Sequence, residues 1–229
     1  MLAVRKLDVA YGQSQVIRGL DMDVGHNEIV AVLGRNGMGK TTLFKALMGI
    51  LPARGGQVAI DSIDVTAMAP HRRVENGIAY VPQGRMIFPS LTVRENIETG
   101  LETAREKKIP DDIYGLFPVL FEMRNRKGGN LSGGQQQQLA IARALVSEPR
   151  VLLLDEPTEG IQPSIIKDIA RVLKEIRKMR ELTIIVSEQV LHFALDVADR
   201  IAVIERGAIV YEGARGEVDA AHVSRYLAV

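Results

Sequence analysis

Cysteine is absent from the 229 residues, which excludes disulfides and thiolate-held zinc or iron–sulfur sites and fits a reducing compartment. A charge excess is missing too. The 29 Lys and Arg side chains stand against 28 Asp and Glu, a formal net charge of +1, so no global field draws the chain to nucleic acid or to an anionic membrane surface. Long apolar runs are likewise lacking. None approaches the roughly 18 residues that span a bilayer, and Met1 to Lys6 has neither the apolar stretch nor the cleavage site of a signal peptide. The expectation is a chain that neither spans nor crosses a membrane and meets one only through partner subunits. No repeat of about 20 to 50 residues occurs, and the one low-complexity patch, Gln135 to Gln138, is too short for a disordered tract.

What is present is 46% hydrophobic content, enough for one sizeable core. Short runs rich in Val and Ile, at Ile29 to Leu33, Ile78 to Val81, Val151 to Leu154 and Leu182 to Val186, read as buried strands. Helical patterns lie between them, at Thr41 to Gly49 and Pro163 to Arg180, and the alternation predicts an α/β fold with a largely parallel sheet. From about Gly84 to Leu145 the alternation breaks: Pro89, Pro110 and Pro118 and helical patterning mark an inserted helical subdomain. Near the end, Ile201 to Glu205 and Ile209 to Glu212 flank Arg206-Gly207, a hairpin signal. The basic clusters Arg105 to Lys108 and Arg124 to Lys127 read as solvated surface.

The first chemistry-bearing motif is Gly34-Arg35-Asn36-Gly37-Met38-Gly39-Lys40-Thr41-Thr42, placed between a predicted strand and a predicted helix. Glycines let the backbone curl so that its N–H groups and the helix N-terminus surround a polyphosphate. Lys40 supplies positive charge to the β- and γ-phosphates, and the Thr41 hydroxyl can ligate Mg²⁺. Without a ligand, the same glycines would be a helix-capping turn.

The second motif is Asp155-Glu156 at the end of an apolar strand, where open parallel sheets place their ligands. Asp155 is positioned to hold Mg²⁺ and Glu156 to orient or deprotonate an attacking water. Taken alone, the pair would equally serve as a helix start with carboxylates on orphan N–H groups.

A second glycine-rich helix start, Leu131-Ser132-Gly133-Gly134-Gln135 before the helical run Gln136 to Val146, is more than one nucleotide requires. With the two motifs above and in the same order along nearly the whole chain, it resembles the signature of the ABC ATPases. That resemblance implies a P-loop NTPase (RecA-like) core with an ABC β-subdomain and an inserted helical subdomain. The whole chain is then one domain, with the nucleotide-binding core at about 1–83 and 146–229 and the helical part at about 84–145. It implies ATP and Mg²⁺, with Ser132 to Gln135 capping the γ-phosphate held by an opposite subunit, Tyr11 stacking on adenine, and Gln83 linking Mg²⁺ and water to the helical subdomain.

Closer still, Leu131 to Leu145, Asp155 to Ile166, Tyr80-Val-Pro-Gln-Gly-Arg85 with Ile87-Phe-Pro89, Leu116 to Val119 and Tyr226 to Val229 are similar to the second ATP-binding subunit of the urea importers, within the branched-chain amino acid importer group. Departures from the wider pattern are Gln189 where most members carry a switch histidine, with His192 three residues late, and Gln162 at the usual coupling aspartate. A glutamine amide donates a hydrogen bond to a phosphate but carries no charge. The implied partners are a second, different ATPase subunit in the working transporter, or a second copy of the chain in isolation, two transmembrane permease subunits and, indirectly, an extracytoplasmic substrate-binding protein, with the chain on the cytoplasmic face of the membrane. Urea or a short amide is the expected cargo. The alternatives are branched-chain amino acids, a non-transport ABC ATPase acting on DNA or ribosomes, and a scaffold without catalysis; retention of Lys40 and Glu156 speaks against the last.

Overall fold

A computed structural model describes residues 1–104 and 106–227. Arg105, at the head of one basic run, and Ala228 and Val229, in the closing stretch, lie outside the described residues. The chain opens with β1 (Leu2–Tyr11) and β2 (Ser14–Val24), then enters β3 (Ile29–Leu33) and α1 (Lys40–Leu47). Next come β4 (Gly55–Ile60), β5 (Ile63–Asp64), α2 (Pro70–Glu75) and β6 (Ile78–Val81). The named elements that follow are helical: α3 (Val93–Glu98), α4 (Asp111–Leu116), α5 (Pro118–Glu122) and α6 (Gly133–Leu145), with short 3-10 turns between them. The chain then alternates through β7 (Val151–Asp155), α7 (Pro163–Arg180), β8 (Thr183–Glu188) and α8 (Leu191–Val197), and ends in β9 (Arg200–Glu205), β10 (Ala208–Ala214) and α9 (Ala220–Leu227).

Two sheets result. One has four strands in the order β2-β1-β4-β5, all antiparallel. The other has six in the order β10-β9-β3-β8-β7-β6, parallel except for the hairpin strand β10. Every residue of β3, β7 and β8 is buried, as expected of central parallel strands covered on both faces. Their period-2 alternation splits them between two cores. Ile29, Ala31, Leu33, Leu152, Leu154, Ile184 and Val186 pack with Leu139, Leu173 and other residues of the helical layer. Val30, Val32, Leu153 and Ile185 face the second core, where Leu43, Phe44 and Leu47 of α1 fill the space towards Val4, Val9 and Ile17 of the antiparallel sheet.

Local signals set the helix ends. Thr92 with Glu95, and Ser132 with Gln135, form capping boxes at the starts of α3 and α6, and Pro163 opens α7. α1 closes two residues earlier than the pattern predicts, at Leu47. Its last carbonyls are claimed instead by Arg73, whose buried guanidinium donates to Ala46 O and Leu47 O at 2.7 Å each, to Thr66 O at 2.7 Å and to Met68 O at 3.1 Å. β7 runs one residue further than expected and takes in Asp155. The predicted hairpin forms, with Arg206 and Gly207 at its tip. Among the described residues no helix is long and apolar enough to cross a membrane.

Candidate active site

β3, β6, β7 and β8 all end on one side of the parallel sheet, and the residues that follow them converge there, as open α/β sheets dictate. A cleft of about 310 Å³ is lined by Asn36, Gly37, Gly39, Lys40, Thr41 and Thr42, together with Val16, Gln83 and Glu156. The loop owes its shape to a close approach. At Gly39, with φ of 107°, a Cβ would stand 2.9 Å from Ile17 Cδ1 of β2. Beside it Gly207 N donates to Met38 O at 3.0 Å and Arg18 N donates to Gly207 O at 3.1 Å, so the hairpin tip and β2, bonded to each other, together support the loop. A Cβ at Gly207 would lie 1.7 Å from Val16 O, so only glycine fits there.

Lys40 is 4% exposed. Its ammonium donates to Gly34 O at 2.6 Å and to Arg35 O at 3.0 Å, and pairs with Glu156 Oε1 at 3.0 Å. Asp155, also buried, accepts from Ser187 Oγ at 2.6 Å and Thr41 Oγ1 at 3.3 Å on one oxygen, and from Tyr80 OH at 3.1 Å on the other. Burial and the neighbouring Asp155 charge push the Tyr80 phenol far up, which keeps it a donor. Thr41 and Asp155 supply hydroxyl and carboxylate oxygens, the hard donors that suit Mg²⁺. They are too few for a closed cage, which leaves room for phosphate oxygens and water.

Glu156 adopts a left-handed backbone, φ 47°, unusual for a buried non-glycine residue and a form of strain that gathers at functional sites. Its N–H donates to both Ser187 O and Ser187 Oγ at 3.1 Å. Its second carboxylate oxygen accepts from Gln189 Nε2 at 3.0 Å, and the same amide donates to Asn36 Oδ1 at 2.8 Å. Gln189 therefore bridges the glycine loop and Glu156, while His192 is exposed on α8. The arrangement can bind a polyphosphate, hold a divalent cation beside it and present a carboxylate to water.

Other expected residues stand apart. Gln83 lines the rim of the cleft, but its amide donates to Glu159 at 3.0 Å rather than to Asp155. Tyr11, 46% exposed at the end of β1, is not among the lining residues; Val16 of β2 is. Ser132 and Gln135 bond each other, Gly133 lies against the Arg85 guanidinium, and Gly134 lies against Ile165. These contacts tie the start of α6 to the β6 exit loop and to α7, not to the glycine loop of its own chain.

Sequence reasoning missed the second tier: Tyr80, Thr158, Ser187 and Glu188. Glu188, 2% exposed, accepts from Thr158 N at 3.1 Å, Thr158 Oγ1 at 2.7 Å, Gln189 N at 3.0 Å and Val190 N at 3.4 Å. Burial raises its carboxyl above the ordinary value despite those bonds. The available signal was the switch from an apolar run to Ser187-Glu188-Gln189, the same pattern that flagged Asp155-Glu156.

The family model "ABC transporter" matches residues 17–159. A probable branched-chain amino acid transport ATP-binding protein of Archaeoglobus fulgidus is 36% identical over 221 residues, covering 95% of this chain and 94% of that protein. A high-affinity branched-chain amino acid transport ATP-binding protein of Pseudomonas aeruginosa is 37% identical, covering 92% and 91%. A lipopolysaccharide export system ATP-binding protein of Haemophilus influenzae is 33% identical, covering 95% and 92%. Among solved structures, the ATP-binding cassette MJ1267 of an ABC transporter superposes with a TM-score of 0.85 at 27% identity, covering 99% of this chain and 98% of that one. With this likeness running the length of the chain and a cleft suited to a polyphosphate and Mg²⁺, the protein belongs to the ABC transporter family, as an ATP-binding subunit that hydrolyses ATP with Mg²⁺.

Proposed function

We propose that this chain powers an importer of branched-chain amino acids. The observation that carries this is near full-length likeness to two ATP-binding proteins named for that cargo. The sequence-based preference for urea rests on stretches such as Asp155 to Ile166 and stands second, because no relative described above is named for urea. An export role is disfavoured by the lower identity to the lipopolysaccharide protein.

At the cleft, the N–H groups at the start of α1 and the Lys40 ammonium bind the phosphates of ATP. Thr41 and Asp155 hold Mg²⁺, with Gln83 joining from the rim. Bound there, the ion neutralises charge on the phosphate oxygens. Glu156 orients and deprotonates the attacking water and Gln189 donates to the γ-phosphate, a hydrogen bond without charge. Tyr11 supports the adenine. The Ser132–Gln135 turn caps the γ-phosphate of ATP held by an opposing ATPase subunit, which accounts for its lack of contact with its own loop.

The working assembly pairs this chain with a second ATPase subunit and two permease subunits at the cytoplasmic membrane face. One groove supports the permease contact. About 1120 Å³ in volume, it is lined by Ile50, Met86 and Phe88, which are 49%, 69% and 47% exposed, and by Arg143 and Ala144 of α6. Exposed apolar side chains gathered in one groove mark a protein contact, and a short helix of a permease fits it. The core at 1–83 and 146–229 and the helical part at 84–145 then move as two bodies around that helix.

The test is uptake of labelled leucine and labelled urea in cells whose only copy of this chain carries Glu156→Gln. Loss of leucine uptake alone is expected. Loss of urea uptake alone would transfer the cargo to urea, and intact uptake of both would sink the importer reading.

A further inference from the structure

The last three positions of the strand-to-loop segment Ser187-Glu188-Gln189 each hold a different part of the catalytic turn. Ser187 binds Asp155 and the Glu156 N–H, and Gln189 binds the Glu156 carboxylate. Glu188 is the member that touches neither. Its carboxylate is buried and fully engaged: one oxygen receives both donors of Thr158, the other receives the N–H groups of Gln189 and Val190.

A buried carboxylate is costly to retain without a specific partner. This one joins the two segments that carry the reacting groups. Thr158 lies two residues after Glu156, on the same turn, and Gln189 follows Glu188 directly. Glu156 itself sits in a strained left-handed backbone, φ 47°, that persists only if its flanks are held. Its N-terminal flank is tied by strand pairing between Asp155 and Ser187. Its C-terminal flank is tied by the Thr158–Glu188 bonds.

We propose that Glu188 is a positioning residue for ATP hydrolysis, acting through Thr158 and Gln189 to fix the Glu156 carboxylate against the phosphate loop. The inference rests on the reading of Glu156 as the general base.

The test uses steady-state ATP hydrolysis by the full chain, with ATP binding followed separately. Glu188→Gln replaces an acceptor with an amide whose N–H₂ meets N–H donors, and Thr158→Val removes the hydroxyl while preserving shape. Both are expected to lower kcat by about 10- to 100-fold, with KM and ATP affinity within about twofold of the parent. Thr158→Ser, which keeps the hydroxyl, should restore kcat. The pair Glu188→Gln with Thr158→Val should lose little more than either single change, since both break one link. Unchanged kcat in both single variants, or a fall in ATP affinity as large as the fall in kcat, would overturn the positioning role. Glu156→Gln assayed alongside separates the two claims: full turnover in that variant removes the base on which the inference rests, whereas silent Glu188 and Thr158 variants beside an inactive Glu156→Gln refute the positioning role alone.

Discussion

Lys40 and Glu156 form a buried ion pair at 3.0 Å, with side chains only 3% and 6% exposed. The lysine proposed to serve a polyphosphate is thus neutralised by the carboxylate proposed to serve water. On that proposal, a phosphate entering the cleft would compete for the ammonium and so free one oxygen of Glu156.

Glu156→Gln separates binding from chemistry. The amide keeps the shape of the side chain but cannot accept a proton, so turnover should fall by roughly 10²- to 10⁴-fold. Affinity for ATP should hold or rise slightly, because Lys40 no longer has an anionic rival. Nucleotide-binding titrations beside phosphate-release assays check this. A loss of affinity matching the loss of turnover would count against the assigned roles.

Gly207→Ala tests the support of the phosphate loop from outside the motif. With Val16 O only 1.7 Å from the position of the new Cβ and φ at 83°, the hairpin tip must retreat from β2 and release Met38 O. ATP affinity should drop by about tenfold or more, with a loss of stability of about 1–3 kcal/mol. Calorimetric titration and thermal unfolding would reveal it; parent-like values in both would refute the coupling.

Arg73→Met should cost about 3 kcal/mol, because it removes the buried donor of the Leu47, Thr66 and Met68 carbonyls and leaves Ala46 O with the Gly49 N–H alone. Denaturant unfolding gives the figure. A change under about 1 kcal/mol would mean that water replaces the guanidinium without penalty.

Glu188 also sets a pH signature. Burial raises its carboxyl above the ordinary glutamate value of 4.5. Between 4.5 and the raised value the folded chain retains a proton that the unfolded chain has released. This contribution to stability is therefore complete below pH 4.5 and is lost as pH rises through the raised value. The Tm of Glu188→Gln, relative to the parent, should climb from the acidic end towards neutrality. A difference that is flat or falls with pH would contradict the burial effect.

Much of the fold was legible because its signals are local. The strand Ile29–Leu33 is apolar throughout, as a central parallel strand must be, Ile78–Val81 at the sheet edge is nearly so, and α7 carries both its proline start and its amphipathic period. The glycine loop was legible because its demand for glycine and its flanking elements are contiguous. Gln189 is assigned by its place before Ala198-Asp199-Arg200, and its amide donates to Glu156 at 3.0 Å. Arg73 gave no signal, because a basic residue in a short helix reads as surface until another helix end is brought against it. The Ser187–Glu188 tier showed only its switch from apolar to polar residues; its partners lie about 30 positions away, beyond what spacing can pair.

Sequence alone determined the kind of chemistry, since backbone curl, phosphate charge and metal-binding oxygens are properties of residue types at fixed short spacing. Only the tertiary structure decided how those parts are poised: that Lys40 meets Glu156, that β2 and the hairpin tip brace the glycine loop, and that Glu188 reaches Thr158. These depend on strand order and sheet twist, which bring together segments more than 100 residues apart, such as Lys40 and Glu156. Chain spacing cannot specify such a meeting; the packing of two cores on one sheet does.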